Sequence, residues 1–177
     1  MNKSEIRGEV RRRIMELSAE VKHTSATKIF TTIEQNSAFH NAQCIALFAS
    51  MKDEVPTDYA LKAWLKMGKR IVVPRVEGDI MRFYDYSPDR MQTGAFGIEE
   101  PIGDREIPAE DIDLIIVPAR AFTLRGERLG RGGGFYDKYM SLNGFRAYKI
   151  GIAFSAQIFD TLPCDAHDIK VDEVVTE

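Results

Sequence analysis

Four short apolar runs constrain the fold most: CIALFAS (44–50), KRIVVP (69–74), DLIIVPARAF (113–122) and AYKIGIAF (147–154). Each is too short for a buried helix and lacks the polar alternation of a strand with one wet face. Runs of this kind read as strands covered on both sides, the signature of a parallel sheet. Between the first two lies PTDYALKAWLKMG (56–68), with apolar residues at helical spacing, proline near its start and glycine past its end. That order is strand, helix, strand, the unit from which parallel sheets are built.

DIMRFYDY (79–86) alternates well enough for a further strand, Met91 to Glu110 reads as a loop-rich passage, FYDKYMSL (135–142) as a helix and KVDEVVT (170–176) as a short last strand. NSAFHNAQ (36–43) reads as a loop. At the amino end, Ile6, Val10, Ile14, Leu17 and Val21 recur at nearly helical spacing, while Lys3, Arg7, Arg11, Arg12 and Arg13 occupy the other faces. Ser18 is placed as an N-cap that breaks this segment and starts a second helix bearing Ala26, Ile29, Phe30 and Ile33. The expected architecture is α/β, a single-domain three-layer α/β/α sandwich around a mainly parallel, Rossmann-like sheet, with a helical segment at about 3–36. A chain of 177 residues, 44% apolar and 29% charged, suits one domain of this size.

Charge and sequence type exclude several partners. The formal net charge of -3 makes the whole molecule a poor match for nucleic acid or an anionic membrane surface, so any basic site is local. No apolar run is long enough to cross a bilayer, and MNKSEIRGEVRRRI lacks the apolar middle of a secretory signal. A cytoplasmic protein is expected. Cys44 and Cys164 have no short-spaced partner for a metal or redox pair, and His23, His40 and His167 are scattered and read as surface or boundary residues.

The chemistry concentrates in GERLGRGGGFYDKYM (126–140), with five glycines, two arginines and an aspartate ahead of an amphipathic stretch. It follows the most apolar strand, where doubly wound sheets bind ligands beyond the carboxyl ends of their strands. Glycine lets the backbone approach phosphate oxygens, a helix start offers N–H groups, and Arg128 and Arg131 supply charge and directed donors. The segment lacks the lysine-serine/threonine ending of a P-loop and the spacing of a dinucleotide fingerprint. A flexible surface turn is the plain alternative. Asp137, in the first helical turn, either compensates the helix dipole or binds magnesium beside a phosphate; Asp168, Asp165 and Asp172 are candidates for a second oxygen ligand.

These residues resemble the 5-formyltetrahydrofolate cyclo-ligase family, also called 5,10-methenyltetrahydrofolate synthetases. The glycine segment is the most specific match, and KSEIR, FASMKDEVPT, GKRIVVPRV and HDIKVDEVV follow in the family's order along nearly the whole chain. The resemblance implies ATP- and Mg2+-dependent closure of 5-formyltetrahydrofolate to 5,10-methenyltetrahydrofolate with release of ADP and phosphate. It implies ATP binding by Lys3, Arg7, Arg128, Gly130, Arg131, Gly132, Gly133, Gly134 and Phe135. Substrate contacts fall on Glu54, Ala49, Arg131, Phe135, Tyr136 and Phe96, and metal ligation on Asp137 and Asp168. Arg131 and Asp137 carry the catalytic roles, and replacing either is expected to abolish turnover with the fold intact.

The implied partner is the reduced folate, its polyglutamylated forms being admissible, with no nucleic acid and no membrane; a monomer is compatible with the sequence. This chain departs from the family in carrying Phe135 where tyrosine is common, and Ala119-Arg120 where many relatives have glycine after the strand's proline. Phe96 and Tyr84 each read equally as an aromatic wall for the pterin or as core, and Trp64 reads as packing. A small-molecule kinase built on the same glycine loop and an RNA-binding surface built on the arginines are the other classes weighed; a folate-storage protein is the third.

Overall fold

The computed structural model describes residues 1–177. Helix α1 (Lys3–Met15) starts at Asn2, whose side chain accepts from the Glu5 amide while Glu5 reaches back to the Asn2 amide. This reciprocal cap satisfies two amides that a helix start leaves open. Helix α2 (Ala19–Glu34) starts at Ser18, whose hydroxyl accepts from Val21, so the break falls where the sequence places it. A short helix α3 (Ser37–Asn41), capped by Asn36, occupies the stretch that reads as a loop. Five residues are too few for an apolar period to show.

Strand β1 (Cys44–Ala46), helix α4 (Asp58–Lys66) and strand β2 (Arg70–Glu77) form the expected parallel unit, with Gly68 ending the helix turn at φ 89°. Strand β3 (Ile80–Asp85) turns back antiparallel to β2. The passage after it holds a small hairpin, β4 (Met91–Thr93) with β5 (Glu99–Pro101). Strand β6 (Leu114–Val117) returns to the sheet. A second small hairpin, β7 (Ala121–Phe122) with β8 (Arg128–Leu129), then separates it from helix α5 (Phe135–Met140). Strands β9 (Tyr148–Ile152) and β10 (Glu173–Val175) complete the chain.

The main sheet has six strands in the order β10-β9-β6-β1-β2-β3, parallel throughout except for β3. Side chains alternate across it with period two. Ile45, Leu47, Leu114 and Ile116 join a core beneath α1, α2 and α4; Cys44, Ala46, Ile115 and Val117 join a second core on the opposite face with Tyr139 and Met140 of α5. The first core is the larger, 27 buried residues against 16, so the third layer is thin and made of α5 and loops. Trp64 is fully buried in the first core between Phe30 and Phe39, ring centroids 5.6 and 4.8 Å away, and its Nε1 donates to Glu34 Oε2 at 2.9 Å. It is packing.

The chain leaves β1 in one direction toward β2 and β3, then comes back to β6 on the other side of β1. The carboxyl ends of β1 and β6 therefore diverge into different loops, and a crevice opens between them.

Candidate active site

A cleft of about 840 Å3 occupies that crevice. Its floor comes from the ends of the two central strands, Phe48 and Ala49 after β1, Pro118 and Ala119 after β6. One wall is the glycine loop from Gly130 to Gly134 with Phe135, Tyr136 and Asp137. The amino end of α1 adds Lys3 and Arg7, the loop after β1 adds Glu54, the β4–β5 hairpin adds Phe96, and the late loop adds Asp165, His167 and Asp168. The residues that the family resemblance implies for ATP, folate and metal thus line one cleft, although they come from segments as far apart as 3 and 168; Asp172, the other acidic candidate, lies outside it, paired with Lys149.

The glycine loop is held from both sides. Arg7 Nε donates to the Gly130 carbonyl at 2.8 Å, which pins α1 to the loop. Gly132 and Gly134 have φ of 120° and 71°, conformations that a side chain disfavours, and Gly134 is the N-cap of α5 with no side-chain cap over the first amides. The sequence places the loop directly after the strongest strand; the β7–β8 hairpin in fact intervenes. That hairpin carries the Arg128 side chain under the loop.

Arg128 is buried beneath the cleft. Its Nη1 donates to Asp137 Oδ1 at 3.1 Å and its Nη2 to the Pro118 carbonyl at 3.1 Å, while its buried Nε has no partner. Burial lowers the guanidinium's pKa, an effect that the Asp137 carboxylate opposes. Asp137 Oδ1 also accepts from the Ile169 amide at 3.0 Å, so both protein donors fall on the same oxygen. Asp137 is therefore structural as well as cleft-lining. Asp168 lies one residue from that contact, but the carboxylate and imidazole groups that approach one another within 4.8 Å are Asp165, His167 and Asp168. Lys3 Nζ sits among them, 2.6 Å from Asp165 and 3.7 Å from Asp168. The hydrogen bond to Asp165 raises the Lys3 pKa.

On the opposite wall, Glu54 is nearly buried and Oε1 accepts from the Met51 amide at 2.8 Å. Burial pushes its carboxyl pKa up, against the pull of that amide and of Arg131, whose Nη2 is 3.6 Å from Oε2. Arg131 makes its closest contact with Asp53 Oδ1, at 2.5 Å. The other oxygen of Asp53 accepts from Arg120 Nη1 at 2.6 Å. Burial raises the Asp53 pKa and the two arginines lower it; the arginines win, and it lies below the usual carboxylate value.

Two aromatic ambiguities resolve differently. Phe96 is 73% exposed, so it is not core, and it is the one non-glycine residue with positive φ, 59°. Tyr84 is buried away from the cleft, its hydroxyl donating to Glu77 and its ring covered by the Arg75 guanidinium 3.8 Å from the centroid. Tyr136 lies against Arg128, 5.7 Å from guanidinium carbon to ring centroid, and burial raises its phenol pKa. Cys44 and Cys164 are both free. No helix is long and apolar enough to cross a membrane.

Sequence reasoning misses Asp53 and notes Arg120 only as a departure from the family, not as the partner of Asp53. The available signal for Asp53 was its place as the acidic neighbour of Glu54. His167, read as a boundary residue, also lines the cleft.

The strand order and the cleft at its switch point place the chain among α/β domains of Rossmann-like topology. The chain belongs to the 5-formyltetrahydrofolate cyclo-ligase family, whose sequence pattern matches residues 1–177. It is 30% identical over 186 residues to the mouse 5-formyltetrahydrofolate cyclo-ligase, covering 97% of this chain and 92% of the mouse protein. The Escherichia coli K12 cyclo-ligase is 33% identical over 145 residues, covering 76% and 78% of the two chains. Among solved structures, the Aquifex aeolicus 5,10-methenyltetrahydrofolate synthetase is similar with a TM-score of 0.87 and 37% identity, over 99% of this chain and 89% of that one. The Mycoplasma pneumoniae synthetase gives 0.80 and 26%, with 99% of both chains covered.

Proposed function

We propose that this chain closes 5-formyltetrahydrofolate to 5,10-methenyltetrahydrofolate at the expense of ATP. The observation that carries the proposal is the meeting, in one cleft at the sheet's switch point, of a cationic glycine loop and a nearly buried carboxylate, Glu54, on the facing wall. The first suits a polyphosphate and the second the N–H groups of a reduced pterin.

The chemical difficulty lies in the formyl group. It is amide-like, a weak electrophile with a poor leaving oxygen. Transfer of the γ-phosphoryl to that oxygen, followed by attack of N10 on the formyl carbon, expels phosphate and closes the ring; the N10 proton leaves as the new bond forms. Little of this needs a protein nucleophile, so the protein's work is positioning and charge stabilisation. Lys3, Arg7 and the amides from Gly130 to Gly134 would hold the phosphates, and Arg131 would follow the charge that moves onto the transferred group. Glu54 would orient the pterin, with Ala49, Phe96, Phe135 and Tyr136 bordering it. Arg128 supports the floor.

Magnesium fits the donors present. Asp137 and Asp168 offer hard oxygens at the phosphate end, with Asp165 beside Asp168, and a cation there neutralises phosphate charge. Lys3, held among the same carboxylates, would be shared between them and the nucleotide. A cytoplasmic location agrees with two unpaired cysteines. The test is absorbance in the methenyl-folate band after mixing protein, 5-formyltetrahydrofolate and magnesium: a rise only with ATP supports the reading, and no rise with ATP overturns it.

A further inference from the structure

Asp53 is shared between two arginines, Arg120 from the segment after β6 and Arg131 from the glycine loop. Arg120 is 8% exposed and anchored on the protein side: its amide donates to Leu129 at 2.8 Å, and its carbonyl accepts from the buried Gln157 Nε2 at 3.1 Å. Gln157 is itself fixed, accepting from the Phe154 amide at 2.8 Å. Arg131, by contrast, has a side chain 35% exposed on the cleft. One carboxylate oxygen serves each arginine.

A guanidinium and a carboxylate left to themselves favour a two-pronged pair using both oxygens. Arg120 occupies one prong of Asp53. We propose that Arg120 is a positioning residue which, by taking one oxygen of Asp53, limits that aspartate's grip on Arg131 and keeps Arg131 available to the transferred phosphoryl group. This rests on the phosphoryl-transfer reading above. Arg120 touches no reacting atom; it acts through Asp53.

The expected signature is a reversal between two substitutions. Arg120→Met frees the second oxygen of Asp53 to trap Arg131, so kcat falls by about tenfold while KM for ATP stays within about twofold. Adding Asp53→Asn removes the trap, so the double variant recovers most of the lost kcat. A merely structural role predicts the opposite, since the second substitution would only remove another contact. Arg120→Leu, which likewise offers no donor to Asp53, gives the same comparison should the methionine variant fail to fold.

Unchanged kcat in a folded Arg120 variant, or a double variant no faster than the single, overturns the proposal. The unsubstituted protein is assayed alongside: inactivity there counts against the functional reading itself, whereas activity there with no reversal counts against Arg120 alone.

Discussion

Arg128 and Asp137 form an ion pair of 3.1 Å beneath the glycine loop, with the Arg128 side chain only 4% exposed. Removing the carboxylate leaves a buried guanidinium without its counter-charge, and breaking a buried pair in this way costs about 3–5 kcal/mol. Asp137→Ala is therefore expected to lower Tm by roughly 6–20 °C in thermal unfolding as well as to abolish turnover. The ion pair thus argues for a less stable fold in this variant, where the sequence alone leads one to expect an intact one. Arg131→Ala, on an exposed side chain, should stop turnover with Tm almost unchanged.

Two loop glycines should respond differently to alanine. Gly134 has φ 71° but open space around it, so Gly134→Ala carries conformational strain alone, about 1–2 kcal/mol. At Gly126, φ is 98° and an added Cβ would lie 2.3 Å from the carbonyl oxygen of Val171, a late-loop residue whose amide donates to the Gly126 carbonyl at 2.9 Å. Backbone must move there. Urea denaturation should show a clearly larger loss for Gly126→Ala than for Gly134→Ala; equal losses would mean that the late loop gives way freely.

Glu54 should leave a pH signature. Its folded-state pKa is raised above the ordinary 4.5 by burial, so its protonated form is the one that folding favours. The contribution to stability is full below the unfolded pKa and is lost as pH rises through the folded one. Glu54→Gln keeps an acceptor for the Met51 amide without a charge. It should be more stable than the parent at pH 7, and the difference should shrink toward zero below about pH 4.5. Folate affinity should fall more than nucleotide affinity in titrations of the same variant.

Trp64→Ala should cost about 3–5 kcal/mol by opening a cavity in the larger core and leaving Glu34 without its indole donor. Nucleotide affinity of the folded fraction should not change, because Trp64 lies outside the cleft. A change in ATP affinity measured below the unfolding transition would show that α4 and the cleft are coupled.

The elements legible in the sequence are those with a period, an apolar run or an alternation of their own: α1, α2, α4, the strands from the four apolar runs, and also β3, α5 and β10. What escaped is short. Helix α3 has five residues and β7 and β8 have two each, so their placement comes from tertiary contacts such as Phe159 donating to the Phe122 carbonyl at 2.9 Å. The site was legible where charge and glycine cluster along the chain, as in 128–137. It was hidden where partners are distant: Arg120 and Arg131 meet Asp53 across 67 and 78 positions, a juxtaposition that only the strand order creates. Phe96 was undecidable because an isolated aromatic carries no period of its own.

The central claim is that one cleft couples phosphoryl transfer to ring closure. The most direct measurement follows ADP, free phosphate and the methenyl chromophore together in one reaction with magnesium, ATP and 5-formyltetrahydrofolate. The account predicts that all three appear in equal amounts and that Arg131→Ala stops all three. Methenyl formation without nucleotide cleavage, or a stable phosphorylated folate in place of free phosphate and the chromophore, would contradict it.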